Sequence, residues 1–258
     1  MHGLLILLIG FAAFMYLVVP VLIRFNQKIN AQAQFQPVDL ATLPPQAAQY
    51  LWACQQALEA EGFQTVAHLS LPNQTPNVFP LLTLFMNRAT GVKAMTVAMY
   101  AITEAGPKLS ARYVEFITRY ADGRVLGTNN NGTLGAFRQG PLQDTIRLPQ
   151  IQDPHRLLAI HCRRMERLNS AEMEPLPPPG TELAYQQEKM VEDYEEQVQF
   201  GRLSLDPKTG RYVPTWRGAY LMTWGLLWPV KPIRTMLDRR RSNAALQSLD
   251  RSAFTHRV

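Results

Sequence analysis

Cysteine is almost missing from this chain: Cys54 and Cys162 are the only two in 258 residues. That excludes a disulfide framework, and the pair has no zinc-ligand spacing. In a reducing cytoplasm both read as reduced, small, buried hydrophobes. No glycine-rich phosphate loop and no i, i+4 histidine pair occurs, and no internal repeat is visible. The net charge is +6, but no nucleic-acid motif accompanies it. The basic balance therefore points to anionic lipid rather than nucleic acid. No metal or cofactor is expected.

Charge is missing altogether from one stretch. Met1 to Ile23 contain no acid, lysine or arginine, and nearly all are apolar. A bilayer core of about 30 Å needs about 20 such residues in helical form. Residues 1–25 are therefore expected to be an uncleaved transmembrane anchor. A signal peptide would carry positive charge before a shorter run. Arg24 and Lys28 follow the run and only His2 precedes it, which predicts an N-terminus outside and the main domain in the cytoplasm.

A polar, Gln-rich linker (26–41) follows, then a domain over 42–170. Ala47, Leu51, Cys54 and Leu58 recur at i, i+4, i+7 and i+11, the apolar stripe of a helix that Gly62 would stop. From Phe63 the period changes to two. Strands are expected over 63–71, 78–86, 92–103, 111–120 and 125–128, with a further short one at 145–148. Asp122-Gly123 reads as a type I′ hairpin turn. Asp153-Pro154 is an N-cap followed by Pro at N1, starting a helix with Leu158, His161, Met165 and Leu168 inward. The fold class is α+β: helix, an antiparallel meander of about five strands, helix. A Pro-rich linker (171–182) leads to an acidic amphipathic helix (183–200).

Residues 212–241 are expected to form an aromatic and basic helix, with a tail over 242–258. Trp216, Tyr220, Trp224 and Trp228 recur every four residues, and Lys231, Arg234, Arg239, Arg240 and Arg241 follow. Tryptophan and tyrosine suit a membrane–water interface. The uncharged part, Gly218 to Val230, is about 20 Å long at about 1.5 Å per residue, short of a span. A helix lying on the cytoplasmic membrane face agrees with the basic flanks on both sides. The alternatives are a second span and packing of the tryptophans against the domain.

Candidate chemistry is sparse. Arg156, Arg163 and Arg167 stack on the polar face of helix 154–168, offering a surface to the acidic helix, a protein partner or lipid headgroups. His155 and Cys162 share a helix but lack a third orienting group. His161 reads as a satisfied core histidine. Glu115 interrupts an apolar strand, and the alternation makes it solvent-facing; were it buried, its pKa would rise. Asn129–Thr133 is a polar loop, and Asn73-Gln74-Thr75 and Asn131-Gly132-Thr133 are formal glycosylation sequons. The reading is a non-enzymatic, membrane-anchored interaction or assembly domain, with membrane lipids and a possible protein partner. The alternatives are a hydrophobic-ligand binder lined by Met95, Met99 and Phe116, and a membrane-associated enzyme.

Overall fold

The computed structural model describes every residue except 1, 73, 75, 76, 136, 138, 169–171 and 256–258. The apolar N-terminal run folds into α1 (His2–Ala13), a π-helical turn (Phe14–Val18) and α2 (Val19–Asn26). Among the described residues no helix is long and apolar enough to cross a membrane. This corrects the expected transmembrane anchor over residues 1–25 and, with it, the single-pass topology with an outside N-terminus. The physical reason lies in the chain itself. Pro20 has no N–H to offer the carbonyl four residues back, and the ladder shifts to a π turn just before it. The 12-residue α1 is about 18 Å long at about 1.5 Å per residue. The longest helix, α7 (Val230–Thr255), carries Lys231, Arg234, Asp238 and Arg239–Arg241 in its first half.

The short strands β1 (Ile29–Asn30) and β2 (Gln36–Pro37) follow, then a 3-10 turn (Leu40–Thr42) and α3 (Pro45–Ala60). In α3, Ala47, Leu51, Cys54 and Leu58 are all buried. Gly62 sits at φ +81°, and the Phe63 N–H returns to the Leu58 carbonyl at 3.1 Å. A side chain at this left-handed stop would be strained, so the sequence ends the helix there.

The main sheet is mixed and has seven strands, in the order β2-β3-β4-β5-β6-β7-β8. Its body is an antiparallel meander of β3 (Gln64–Ser70), β4 (Val78–Asn87), β5 (Val92–Thr103), β6 (Gly106–Arg119) and β7 (Val125–Asn129). β8 (Gln143–Arg147) then pairs parallel to β7, from Val125↔Gln143 to Asn129↔Arg147. The sheet is thus larger than the expected five-strand meander: β2 is added at one edge, and the short strand expected at 145–148 forms as β8 at the other, paired parallel instead of continuing the meander. The Asp122-Gly123 turn is also not type I′: Gly123 N–H returns to Tyr120 at 2.9 Å and only Gly123 has positive φ, a type I turn closed by a left-handed glycine.

One sheet face is covered by α3 and α4 (Pro154–Glu166), around a core that includes Phe63, Phe85, Phe116, Leu148 and Leu157. Asp153 caps α4 by accepting the N–H groups of His155 and Arg156. The opposite face carries Leu82, Leu84 and Val97 and is covered by α5 (Glu182–Gln199), which contributes Leu183. A second sheet, β1-β10-β9, joins β1 to the hairpin of β9 (Leu203–Asp206) and β10 (Arg211–Pro214). It packs Ile29, Leu203 and Tyr212 against Tyr194 and Val198 of α5. β10 runs into α6 (Trp216–Trp224), and α7 follows a cis Trp228–Pro229 bond. The segment 212–241 is therefore a strand and two helices, not one interfacial helix, because Gly225 and Pro229 interrupt it.

Candidate functional site

Three groups of side chains stand out. The first is an apolar layer. Because β1 and β10 are antiparallel, α2 and α6 lie side by side in opposite directions: Phe25 meets Trp216 edge-on at 6.0 Å and Tyr16 meets Trp224 at 6.5 Å. Thr215 caps α6 by accepting the Gly218 N–H at 3.0 Å. α6 approaches β9 so closely that a Cβ at Gly218 would fall 1.8 Å from the Arg202 carbonyl oxygen, which only glycine permits. Arg24 lies over both the Phe25 and Trp216 rings, at 5.9 and 6.0 Å. The outer side of this layer is uncovered. Eight large apolar side chains from Ile6 to Phe25 are 40–72 % exposed, and Trp228 is 77 % exposed.

Of the aromatic and basic residues expected to act together, Trp216, Tyr220 and Trp224 share α6, while Trp228 stands apart at the cis bond. The cations divide. Lys231, Arg239 and Arg240 are exposed on α7. Arg234 donates to the Gly225 and Gly135 carbonyls at 3.2 Å each, and Arg241 pairs with Asp144 at 2.5 Å. Arg156 and Arg163 are exposed on α4, and Arg167 is exposed at its C-terminal cap, where it donates to Ser248 of α7. They do not meet the acidic α5, which covers the other face of the sheet. α5 and its approach instead take Arg88, through Glu182 at 2.5 Å, and Arg119, through Asp193 at 3.3 Å.

The second group is a buried knot beneath α4. His161 is fully buried, with Nε2 3.0 Å from Thr118 Oγ1 and Nδ1 3.0 Å from Thr128 Oγ1. Burial, with Arg164 nearby, drops its pKa to about 3. Arg164 is buried too. It donates to the Gly127 carbonyl, to Thr128 Oγ1 at 2.8 Å, and to both the carbonyl and carboxylate of Asp144 at 2.9 and 2.8 Å.

The third group is a polar cleft between the sheet and α5. The register Met95↔Glu115 and Lys93↔Ile117 puts Lys93, Glu115 and Arg119 on the face that α5 covers. Glu115 is half-buried there and accepts Asn129 Nδ2 at 2.9 Å; desolvation raises its pKa. This corrects its expected solvent-facing placement: alternation fixed the side of the sheet, but α5 returns to cover that side. The Lys93 ammonium is lowered to about 7, first by burial and then by Arg119. Its hydrogen-bond partner is the Tyr185 hydroxyl, which donates in turn to Glu174 at 3.2 Å.

No family model matches this chain, and no match was found among curated proteins or solved structures.

The remaining sequence candidates are placed apart. His155 Nδ1 pairs with Glu61 at 2.5 Å, not with Cys162. Burial pushes the Cys54 thiol up to about 11 and raises Cys162 as well, so neither is an activated nucleophile. Among the described residues no cluster of His, Cys, Asp and Glu could hold a metal ion. Asn130 is structural: its side chain joins the Val114 N–H to the Ile151 carbonyl at 2.7 and 3.1 Å. Met95 and Met99 lie on the α5 face while Phe116 is in the core under α4, so the three do not line one pocket. Asn73 and Thr75 of one sequon lie outside the described residues. Lys93, Arg164 and the β9–β10 hairpin escaped the sequence reading. Lys93 carried a signal, a lone cation opening an otherwise apolar strand.

Proposed function

We propose that this chain is an interaction and assembly module whose α1, α2 and α6 surface is buried against a second copy of itself. The observation that supports this is the uncovered layer of Ile6, Leu7, Phe11, Phe14, Leu17, Val18, Leu22 and Phe25. Apolar patches of more than a few hundred Å² are rare on monomers and mark interaction surfaces. Eight large side chains at this exposure supply an area on the order of the 800 Å² that each partner gives to a stable interface. α1 is apolar around its whole circumference, and a helix of that kind is stable only when enclosed. Isologous pairing encloses two such helices at once. The α+β body then serves as the scaffold that fixes how α2 and α6 are presented.

The test is sedimentation velocity of the full chain in detergent-free buffer, beside a Leu7→Glu/Phe11→Glu variant. The expected result is a discrete oligomer that becomes monomeric in the variant with unchanged circular dichroism. A monomeric wild type or a polydisperse aggregate overturns the reading. So does capture of the chain by phospholipid vesicles in place of self-association, which assigns the surface to lipid.

A further inference from the structure

The Lys93 cleft is separate from the assembly surface and has its own chemistry. Lys93 is half-buried on β5, beneath α5, and no carboxylate lies within ion-pair distance among the described contacts. Its amine donates to the Tyr185 hydroxyl, and the Tyr185 O–H donates to Glu174 Oε1 at 3.2 Å. Glu174 is also bound by Lys189 at 3.1 Å. Beside the amine is a cavity of about 60 Å³, with Met86, Met95 and Ile117 on its apolar side and Arg119, Gln186 and Asp193 on its polar side. Such a space holds a few waters. It excludes drug-sized or nucleotide ligands, which need roughly 300 Å³ or more. A linear triatomic molecule fits.

We propose that Lys93 is a carbamylation site: its amine adds carbon dioxide, and the Arg119 guanidinium holds the carbamate in this cavity.

The step is balanced without further reagents. The Nζ lone pair forms the N–C bond, one C=O π pair moves onto oxygen, and one proton leaves Nζ. The Nζ–Tyr185–Glu174 donor chain leads that proton from the cleft toward solvent. The site loses no charge partner when the amine is neutral, and it supplies a cation once the carbamate anion forms. Arg119 uses one N–H on Asp193 at 3.3 Å, and a guanidinium has five. The groups facing Lys93 are Arg119 from β6, Glu174 from the segment after α4, and Tyr185, Lys189, Glu192 and Asp193 from α5. Burial, Arg119 and Lys189 favour the neutral amine and outweigh Glu174 and Glu192, leaving a large neutral fraction at neutral pH.

The full chain is incubated with ¹³C-bicarbonate, trapped with a trialkyloxonium reagent, and mapped by peptide mass spectrometry. The adduct is expected on Lys93 at pH 8 and reduced several-fold at pH 6. It is also expected to be reduced several-fold in Arg119→Gln. The exposed Lys108 and Lys208, and the N-terminal amine, are internal controls. Lys93 labelled no more than Lys108 and Lys208 overturns the proposal, as does labelling of the N-terminal amine alone. An adduct of equal yield in folded Arg119→Gln also overturns it. The mapping is done on wild type, so the primary result does not depend on a variant folding.

Discussion

Trp224 donates its indole N–H to the carbonyl oxygen of Tyr16 across 3.1 Å. That carbonyl is the one whose i+4 partner is Pro20, which has no N–H. A residue 208 positions away in sequence thus serves the acceptor that proline leaves open, and the same contact joins α6 to the N-terminal helices. Kinks at proline commonly survive because a neighbouring group takes over the freed carbonyl. Trp224→Phe keeps the ring against Tyr16 but removes the donor, at a cost of about 1 kcal/mol. Pro20→Ala supplies an N–H to the same carbonyl, so in that background the cost of Trp224→Phe should shrink. A double-mutant cycle in urea checks this, and additive effects would show that the two groups do not share the acceptor.

Arg164 and Asp144 form an asymmetric pair. The guanidinium is buried and the carboxylate is 58 % exposed. Asp144→Asn should cost only about 1 kcal/mol, because water screens the carboxylate and Arg164 keeps Gly127, Thr128 and the Asp144 carbonyl as acceptors. Arg164→Ala should cost about 3 kcal/mol or more, since it opens a void beside β7 and β8 and leaves those acceptors unserved. Equal losses in urea midpoints would show that the ion pair, not the backbone clamp, dominates.

The parts of this fold that were legible in sequence are those set by local period. The Ala47/Leu51/Cys54/Leu58 stripe and the Asp153-Pro154 helix start are local, and both stand in the structure. The strands of the meander are likewise carried by alternation. What escaped is set by distant pieces of chain. β1 and β2 are two residues each, too short to show a period. The short strand at β8 is legible in the sequence, but its parallel pairing with β7, after a connection of 13 residues, is not, because no local period encodes it. Glu115 and Lys93 had the right side of the sheet written in their spacing, but not the helix that covers it about 70 to 90 residues later. The N-terminal run announced its apolarity plainly, and Pro20 marks where its helix breaks, whereas the capture of the Tyr16 carbonyl depends on Trp224 at the far end of the sequence.

His161 makes stability depend on pH in a predictable direction. Its ordinary pKa is 6.5 and in the folded chain it is about 3, so between these values the unfolded chain binds a proton that the folded chain does not. Stability from this residue is complete above pH 6.5 and is lost as pH falls toward 3, by about 1.4 kcal/mol per pH unit. Both ring nitrogens meet threonine hydroxyls, and the Phe116 ring lies 6.0 Å away, so the folded core offers no anion to a protonated imidazole. His161→Gln keeps groups that hydrogen-bond threonine but cannot titrate. It should be less stable than wild type by about 1 kcal/mol at pH 7, with the gap closing or reversing by pH 5. Urea midpoints at pH 7, 6 and 5 measure this. Wild-type and variant curves that stay parallel across the range would mean that His161 is protonated without unfolding.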